Sequence, residues 1–235
     1  MTGAGALAPI ARSWQNELVS TRAGRPYAGI SQPERQARRR DLLLQAGLEV
    51  FGTTGYAASS VREICEVAEL NRRYFYESFN TREDLLRAVY ERIVTESRDS
   101  ITDAIASADG VQEAIRAGLT AWWATVTSDP RKARIITLEI VGVSEAIETR
   151  RREVRHSFAD FIAALATELA ATERRQLRID PLIVARALVA AIVDLVVDLT
   201  RGDTDSSTAT MVETCLQLVS VAFDASFEPA STPGD

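Results

Sequence analysis

The side chains best suited to chemistry in this sequence are guanidinium and phenol groups. Arg72, Arg73, Tyr74, Tyr76 and Arg82 fall in one short stretch. A guanidinium either clamps guanine O6 and N7 bidentately or holds a phosphate; failing both, it is a solvated surface charge. Tyr74 can stack on a sugar, touch a thymine methyl or pack in a core. Residues for covalent or metal chemistry do not assemble. Nucleophile elbow, phosphate loop, HExxH and paired catalytic histidines are all missing from the sequence. His156, the only histidine, stands beside Arg150-Arg151-Arg152 and Arg155 and reads as part of a solvated face. Cys65 and Cys215 are far apart, with no CxxC or Cys/His cluster, so neither a disulfide framework nor a metal site is expected. Cys65 reads as a small buried hydrophobe on a helix stripe. The sequence thus argues against an enzyme, implies no cofactor and suits a reduced, cytoplasmic setting.

The arginines need a scaffold to aim them, and the pattern around them is helical throughout, with no convincing strand. A first helix is expected over 33–53, with Pro33 in its first turn and Leu43, Gly47, Val50 and Phe51 on one face. Ser60-Val61-Arg62-Glu63 reads as a capping box opening a second helix, whose stripe is Val61, Ile64, Cys65 and Ala68. Asn71 caps a third helix, with Leu70 and Phe75 spaced as a hydrophobic staple. Phe75 and Phe79 face one way; Arg72, Arg73 and Tyr76 face the other. Thr81, with Asp84 three residues on, caps a fourth. Two short capped helices under a longer one make a helix-turn-helix, here about 60–79. Such a unit lays its second helix in the major groove. Ser59, Ser60 and Arg62 are then candidates for phosphate at the second helix, although Ser60 already has a task as cap. Arg38-Arg39-Arg40 either hold flanking backbone or form a solvated face.

Charge is distributed accordingly. The whole chain carries −6, but residues 1–82 hold eleven arginines against eight carboxylates, a net of +3, and the remainder carries −9. With 46% hydrophobic residues the chain is globular. Residues 1–32, rich in Gly, Ala, Pro and Ser, read as a mobile arm rather than a signal peptide; Arg22 and Arg25 there are candidates for a minor groove. The apolar run 182–199 contains Arg186, Asp194 and Asp198, which argues against a membrane span.

The stretch 40–86 resembles the DNA-binding domain of the tetracycline-repressor (TetR) family along its whole length. The matching residues are Ala46 and Phe51, Gly55-Tyr56, Ser59-Ser60-Val61, Ile64-Cys65, Phe75-Tyr76-Glu77-Ser78-Phe79 and Arg82-Glu83-Asp84-Leu85. Glu69 stands where the family often has Gly, Asn71 replaces a common Ser, Tyr74 a Thr, Ser78 a His and Arg82 a Lys. Tyr74 and Ser78 lie on the recognition helix, so the DNA sequence read is this chain's own. The resemblance implies that Tyr76 bonds backbone phosphate and that Arg82 takes the place of a phosphate-contacting Lys. It implies an all-α fold: a three-helix helix-turn-helix domain (33–92), then an all-helical ligand-binding and dimerisation domain (93–227), with a disordered tail at 228–235. It further implies a homodimer on a palindromic double-stranded operator. A small effector entering the second domain shifts the helix bearing 85–93 and releases the DNA, as in a repressor. The competing reading is a helical protein-interaction module without DNA binding, which would leave Arg72, Arg73, Tyr76 and Arg82 without a reason to occur together.

Later helices are expected near 111–128, 131–142, 144–171, 180–201 and 206–225. Trp122, Trp123, Phe158 and Phe161 are candidate ligand contacts, with plain core packing as the alternative. A mostly apolar effector is expected, because few polar groups face inward. The run 182–199 is apolar almost all round, and Met211, Val212, Cys215, Leu216, Val219, Ala222 and Phe223 give the last helix a broad apolar face. Together they suit an isologous four-helix dimer interface, Val189 and Val196 included.

Overall fold

Helix boundaries in this chain are set by side chains that satisfy orphan backbone groups. In a computed structural model, which describes Trp14 and residues 31–227, Ser31 opens α1 (Gln32–Thr53). The Glu34 N–H donates to Ser31 Oγ at 3.3 Å, and the Ser31 N–H donates to the Glu34 carboxylate at 2.6 Å, closing a capping box. The expected boundary at Pro33 was thus one residue late. Ser60 caps α2 (Val61–Val67) and Asn71 caps α3 (Arg72–Ser78), as read from sequence. The Ser60 box is only half formed. Glu63 N–H reaches Ser60 Oγ at 3.1 Å, but the Glu63 carboxylate is engaged by the Thr54 hydroxyl at 2.8 Å. Thr81 and Asp84 form a complete box before α4 (Arg82–Ala106). Then come α5 (Val111–Thr127), α6 (Pro130–Arg134), α7 (Glu145–Glu173), α8 (Pro181–Arg201) and α9 (Thr208–Ala225). Among the described residues the fold is all-α, with one isolated bridge between Leu177 and Phe227.

The chain divides into two compact units. One, the head, comprises Val19–Glu96 and Val126–Thr149. Its core is built from Leu43, Ala46, Val50 and Phe51 on α1, Ile64 on α2, Phe75 and Phe79 around α3, and Leu85, Leu86 and Val89 on α4. The segment expected as a single helix over 131–142 belongs to this unit and is instead α6 followed by a π-helical turn, Ile135–Glu139. There Ile140 N–H donates five residues back to Ile135 O at 3.2 Å. The wider turn brings Glu139 within 2.7 Å of the Tyr56 N–H. Arg131 pairs with both Asp129 and Glu49, and its side chain lies against Gly52 on α1.

The other unit, the body, comprises Ser97–Thr125 and Arg150–Asp235, with Trp14 among its described residues. Trp14 falls in the segment read as an arm, yet it is buried among Ile101, Ile105, Phe161 and Leu165. Arg22, Arg25 and the tail 228–235 lie outside the described residues. Along α8, Ala185 and Val196 are buried within the chain itself, whereas Ile183 is 64% exposed; on α9, Leu218 and Val221 are 50% and 65% exposed. Val196 is therefore an intrachain core residue, and a charge there would disrupt the body before it could report on an interface.

Gly52 provides a direct test of the head's packing. A Cβ at this position would stand 2.8 Å from Arg131 Cγ and 2.9 Å from Arg131 Cα. Backbone on one side and a doubly paired arginine on the other leave little room to yield. Gly52→Ala should destabilise the head by about 1–3 kcal/mol in chemical denaturation; an unchanged midpoint would show that α6 is not docked there.

Candidate nucleic-acid interface

The recognition geometry begins in the turn between α2 and α3. Glu69 has φ +54°, in the left-handed region. Leu70 N–H donates to Cys65 O at 3.0 Å and Glu69 N–H to Glu66 O at 3.2 Å, the paired bonds of a Schellman ending. The position where the related domains often carry Gly is thus the one whose backbone favours Gly, and here Glu bears the strain. The turn delivers Asn71, whose side chain accepts from Tyr74 N–H at 3.3 Å.

From that start, α3 buries Phe75 completely and Phe79 nearly so, while Arg72, Arg73 and Tyr76 lie on the exposed side, Tyr76 at 58%. Arg73 forms an i,i+4 pair with Glu77 at 3.0 Å. Both partners are at the surface, so the pair is weak and readily exchanged for a phosphate. Tyr74 is only half exposed, because the Arg39 guanidinium lies 4.3 Å over its ring. Arg40 donates to Ser78 O at 3.0 Å and covers the Phe79 ring at 4.2 Å. Two members of the arginine run on α1 thus clamp α3, and Arg40 does so at the carbonyl end, where a cation is favoured. This task was not among those read from the sequence. Arg38 is exposed.

At α2, Ser60 and Arg62 are exposed, with Arg62 paired to Glu66 at 2.7 Å. Ser59 is buried; its hydroxyl donates to Tyr56 O at 2.8 Å and accepts from Arg82 Nη1 at 3.0 Å. Arg82 Nη1 also donates to Tyr56 O at 2.9 Å and to Ser59 O, and its guanidinium stands 4.9 Å from the Tyr56 ring centre. Arg82 and Ser59 are therefore engaged in holding the loop before α2. Burial pushes the Tyr56 phenol up, with the Arg82 charge opposing it. Cys65 is buried in the α2 core stripe, and burial pushes its thiol up.

The four aromatic residues expected to meet a ligand are distributed differently in the body. Trp123 is buried beside Cys215, where burial pushes the thiol up and the indole hydrogen bond pulls it down. Trp122 is half buried and, with Phe158 and Phe161, packs in the cluster that holds Trp14. A separate cavity of about 200 Å³ is lined by Ile115, Arg116, Leu169, Arg175, Phe223 and others, and by none of those four aromatics. His156 is exposed.

These features define the class: a helix-turn-helix DNA-binding domain joined to a helical body. Residues 43–89 match the family described as bacterial regulatory proteins, tetR family. A curated relative, the HTH-type transcriptional activator FasR of Mycolicibacterium smegmatis, is 29% identical over 114 residues, 48% of this chain and 52% of that protein. The chain thus spans about half the length of the curated relative it matches. The fold is shared with the transcriptional regulator FadR from Bacillus subtilis in complex with stearoyl-CoA (TM-score 0.68, 17% identity, 76% of this chain and 96% of that one). It is shared equally with the fatty acid degradation regulator FadR from Bacillus halodurans (TM-score 0.70, 18% identity, 77% and 94%).

The α2–α3 turn is directly testable. Glu69→Gly removes the left-handed strain and should stabilise the head by about 1 kcal/mol. Thermal unfolding measures it, and a loss of stability would mean that the Glu69 side chain has a role the turn geometry does not reveal.

Proposed function

We propose that this protein is a sequence-specific, DNA-binding transcriptional regulator that acts as a homodimer and is released from its operator by a mostly apolar ligand. The observation that carries this reading is the division of α3. Its buried side locks into the head through Phe75 and Phe79, and its open side offers Arg72, Arg73 and Tyr76 at the first turns, where a helix in the major groove meets base edges and backbone. In this reading Arg72 and Arg73 address base edges, and Tyr76, Ser60 and Arg62 address phosphate. Tyr74 and Ser78 adjust sequence preference from beneath. Arg82 and Ser59 act by holding the loop that aims α2. The apolar ligand is supported by the cavity in the body, lined in part by Ile115, Leu169 and Phe223, and by a shared fold with a regulator whose structure contains stearoyl-CoA.

The sign of regulation has two readings. Ligand-driven release of a bound dimer from its operator makes a repressor. The name of the curated relative favours an activator instead. Transcription of a reporter behind the selected operator, with and without the protein, separates the two.

For the dimer, the exposed apolar residues Ile183, Leu218 and Val221 on α8 and α9 are the proposed contact. Val221→Glu should give a folded monomer by light scattering and circular dichroism. A wild-type monomer at micromolar concentration, or a Val221→Glu dimer, would count against this surface.

For DNA, the operator is first obtained by selection from a random duplex pool. Arg72→Ala or Arg73→Ala should then cost about 1–3 kcal/mol on the operator and relax preference at one symmetric pair of positions. Tyr76→Phe should weaken operator and scrambled duplex alike. Arg82→Ala should weaken both and also lower the melting temperature, while Arg82→Lys retains part of each. If folded Arg72→Ala, Arg73→Ala and Tyr74→Ala all bind the operator as wild type does, α3 is not the reading helix.

A further inference from the structure

We propose that Glu77 is a positioning residue for sequence reading: it braces Arg73 so that the guanidinium presents two parallel donors to a guanine. The proposal rests on the DNA-binding reading above and specifies how one of its arginines is aimed.

The stability of α3 does not account for Glu77. In an i,i+4 pair the favourable order is carboxylate first and cation second, whereas here Arg73 precedes Glu77. Glu77 also lies in the last turn of α3, where the carbonyl end of the helix dipole opposes a negative charge. On a helix that faces DNA, it is set against phosphates as well. An exposed position with three electrostatic costs needs a compensating task.

The carboxylate is held between two helices. Its Oε1 accepts from Arg73 Nε at 3.0 Å, and its Oε2 stands 3.5 Å from Arg39 Nη2 on α1. The Arg39 guanidinium in turn lies 4.3 Å over the Tyr74 ring, and its side chain is only 22% exposed. Each Glu77 oxygen thus meets one guanidinium, and the half-buried one anchors the carboxylate for the other. Arg73, with its side chain 83% exposed, is the outer end of this chain of contacts.

The atoms engaged decide what Arg73 can do. A guanidinium has five N–H donors, one on Nε and two on each Nη. Glu77 takes the Nε–H, which leaves the Nη1 and Nη2 hydrogens for another partner. Two of these match guanine O6 and N7. Holding Nε also restricts the side-chain torsions before DNA arrives, so less freedom is lost on contact. In water the pair is weak and opens for a phosphate, which suits a random duplex. In the groove, where water is displaced, a braced guanidinium on a guanine keeps both partners.

The test is a double-mutant cycle between Glu77 and Arg73 in the full chain. Binding is titrated on the selected operator, on operators changed at single base pairs and on scrambled duplex, at two salt concentrations. Arg73→Ala locates the guanine: base preference should vanish at one symmetric pair of positions. Glu77→Ala should lower preference at the same pair by about tenfold, the scale of a lost bidentate contact. On scrambled duplex it should act in the opposite sense. There it should bind more tightly, with a salt dependence steeper by about one unit of slope as Arg73 turns to phosphate. In the Arg73→Ala background, Glu77→Ala should leave base preference unchanged. Alanine favours helix and position 77 is exposed, so the fold should survive, with circular dichroism as the control. Equal weakening on both duplexes would show a merely structural part, and a loss that persists without Arg73 would show that Glu77 meets a base itself. Either result overturns the brace, as does unchanged preference at the guanine. Intact preferences in Arg73→Ala overturn it too, and leave the DNA-binding reading standing on Arg72 and Tyr76. A wild-type chain that binds selected and scrambled duplex alike overturns both.

Discussion

The head depends on how the Tyr56 peptide is held. Its N–H donates to Glu139 Oε2 at 2.7 Å, its carbonyl accepts from Arg82 Nη1 at 2.9 Å, and its ring lies beneath the Arg82 guanidinium and edge-on to Phe51. Gly55 just before it has φ +92°, and an added Cβ there would come within 3.1 Å of Glu139 Oε2. One residue thus joins the ends of α1, α2 and α4 and the π-helical turn. A short helix such as α2 has little intrinsic stability, so its direction is fixed by these tertiary bonds and by the burial of Ile64 and Cys65. Arg82 has a part in this that its place in the motif does not suggest: a group that resembles a phosphate contact is, in the folded chain, a donor to two carbonyls and a hydroxyl.

The same logic extends to α3. Its buried side is aromatic, and its two ends are governed by different chemistry. At the N-terminus the Asn71 cap and the left-handed Glu69 set the angle at which the helix leaves the turn. At the C-terminus Arg40 satisfies Ser78 O, and Arg39 covers Tyr74 while reaching Glu77 at 3.5 Å. The positive charge of α1 is therefore partly used up in fixing the helix. The net of +3 over the first 82 residues overstates what is left for phosphate. Arg38, Arg62, Arg72 and Arg73 are exposed, with Arg62 and Arg73 paired to carboxylates on their own helices. In the proposed DNA-binding reading, electrostatic affinity is then expected to be modest.

What could be read from the sequence was what local chemistry encodes. The caps at Ser60, Asn71 and Thr81, the faces of Phe51, Phe75 and Phe79, and the approximate extents of the later helices all depend on residues within a turn or two of one another. What could not be read depends on partners far apart in the chain. The Glu63 carboxylate, expected in a capping box, is taken by Thr54, and Ser59, a candidate for phosphate from the sequence, is buried with Arg82 donating to its hydroxyl. Glu139 carries no local mark of its bond to Tyr56, 83 residues away. Glu69 was noticed as a departure from the related domains, and the left-handed backbone supplies the physical reason. Val196, assigned to an interface because its helix is apolar all round, is buried by its own chain, since an all-round apolar helix does not reveal which side its own body covers.

Trp14 is the opposite case. Leu7, Ile10, Ala11, Trp14 and Leu18 recur at helical spacing, a signal that the reading of residues 1–32 as an arm passed over. α4 is one continuous helix: Leu85 and Val89 lie in the head's core, and Ile101 and Ile105 pack with Trp14 in the body.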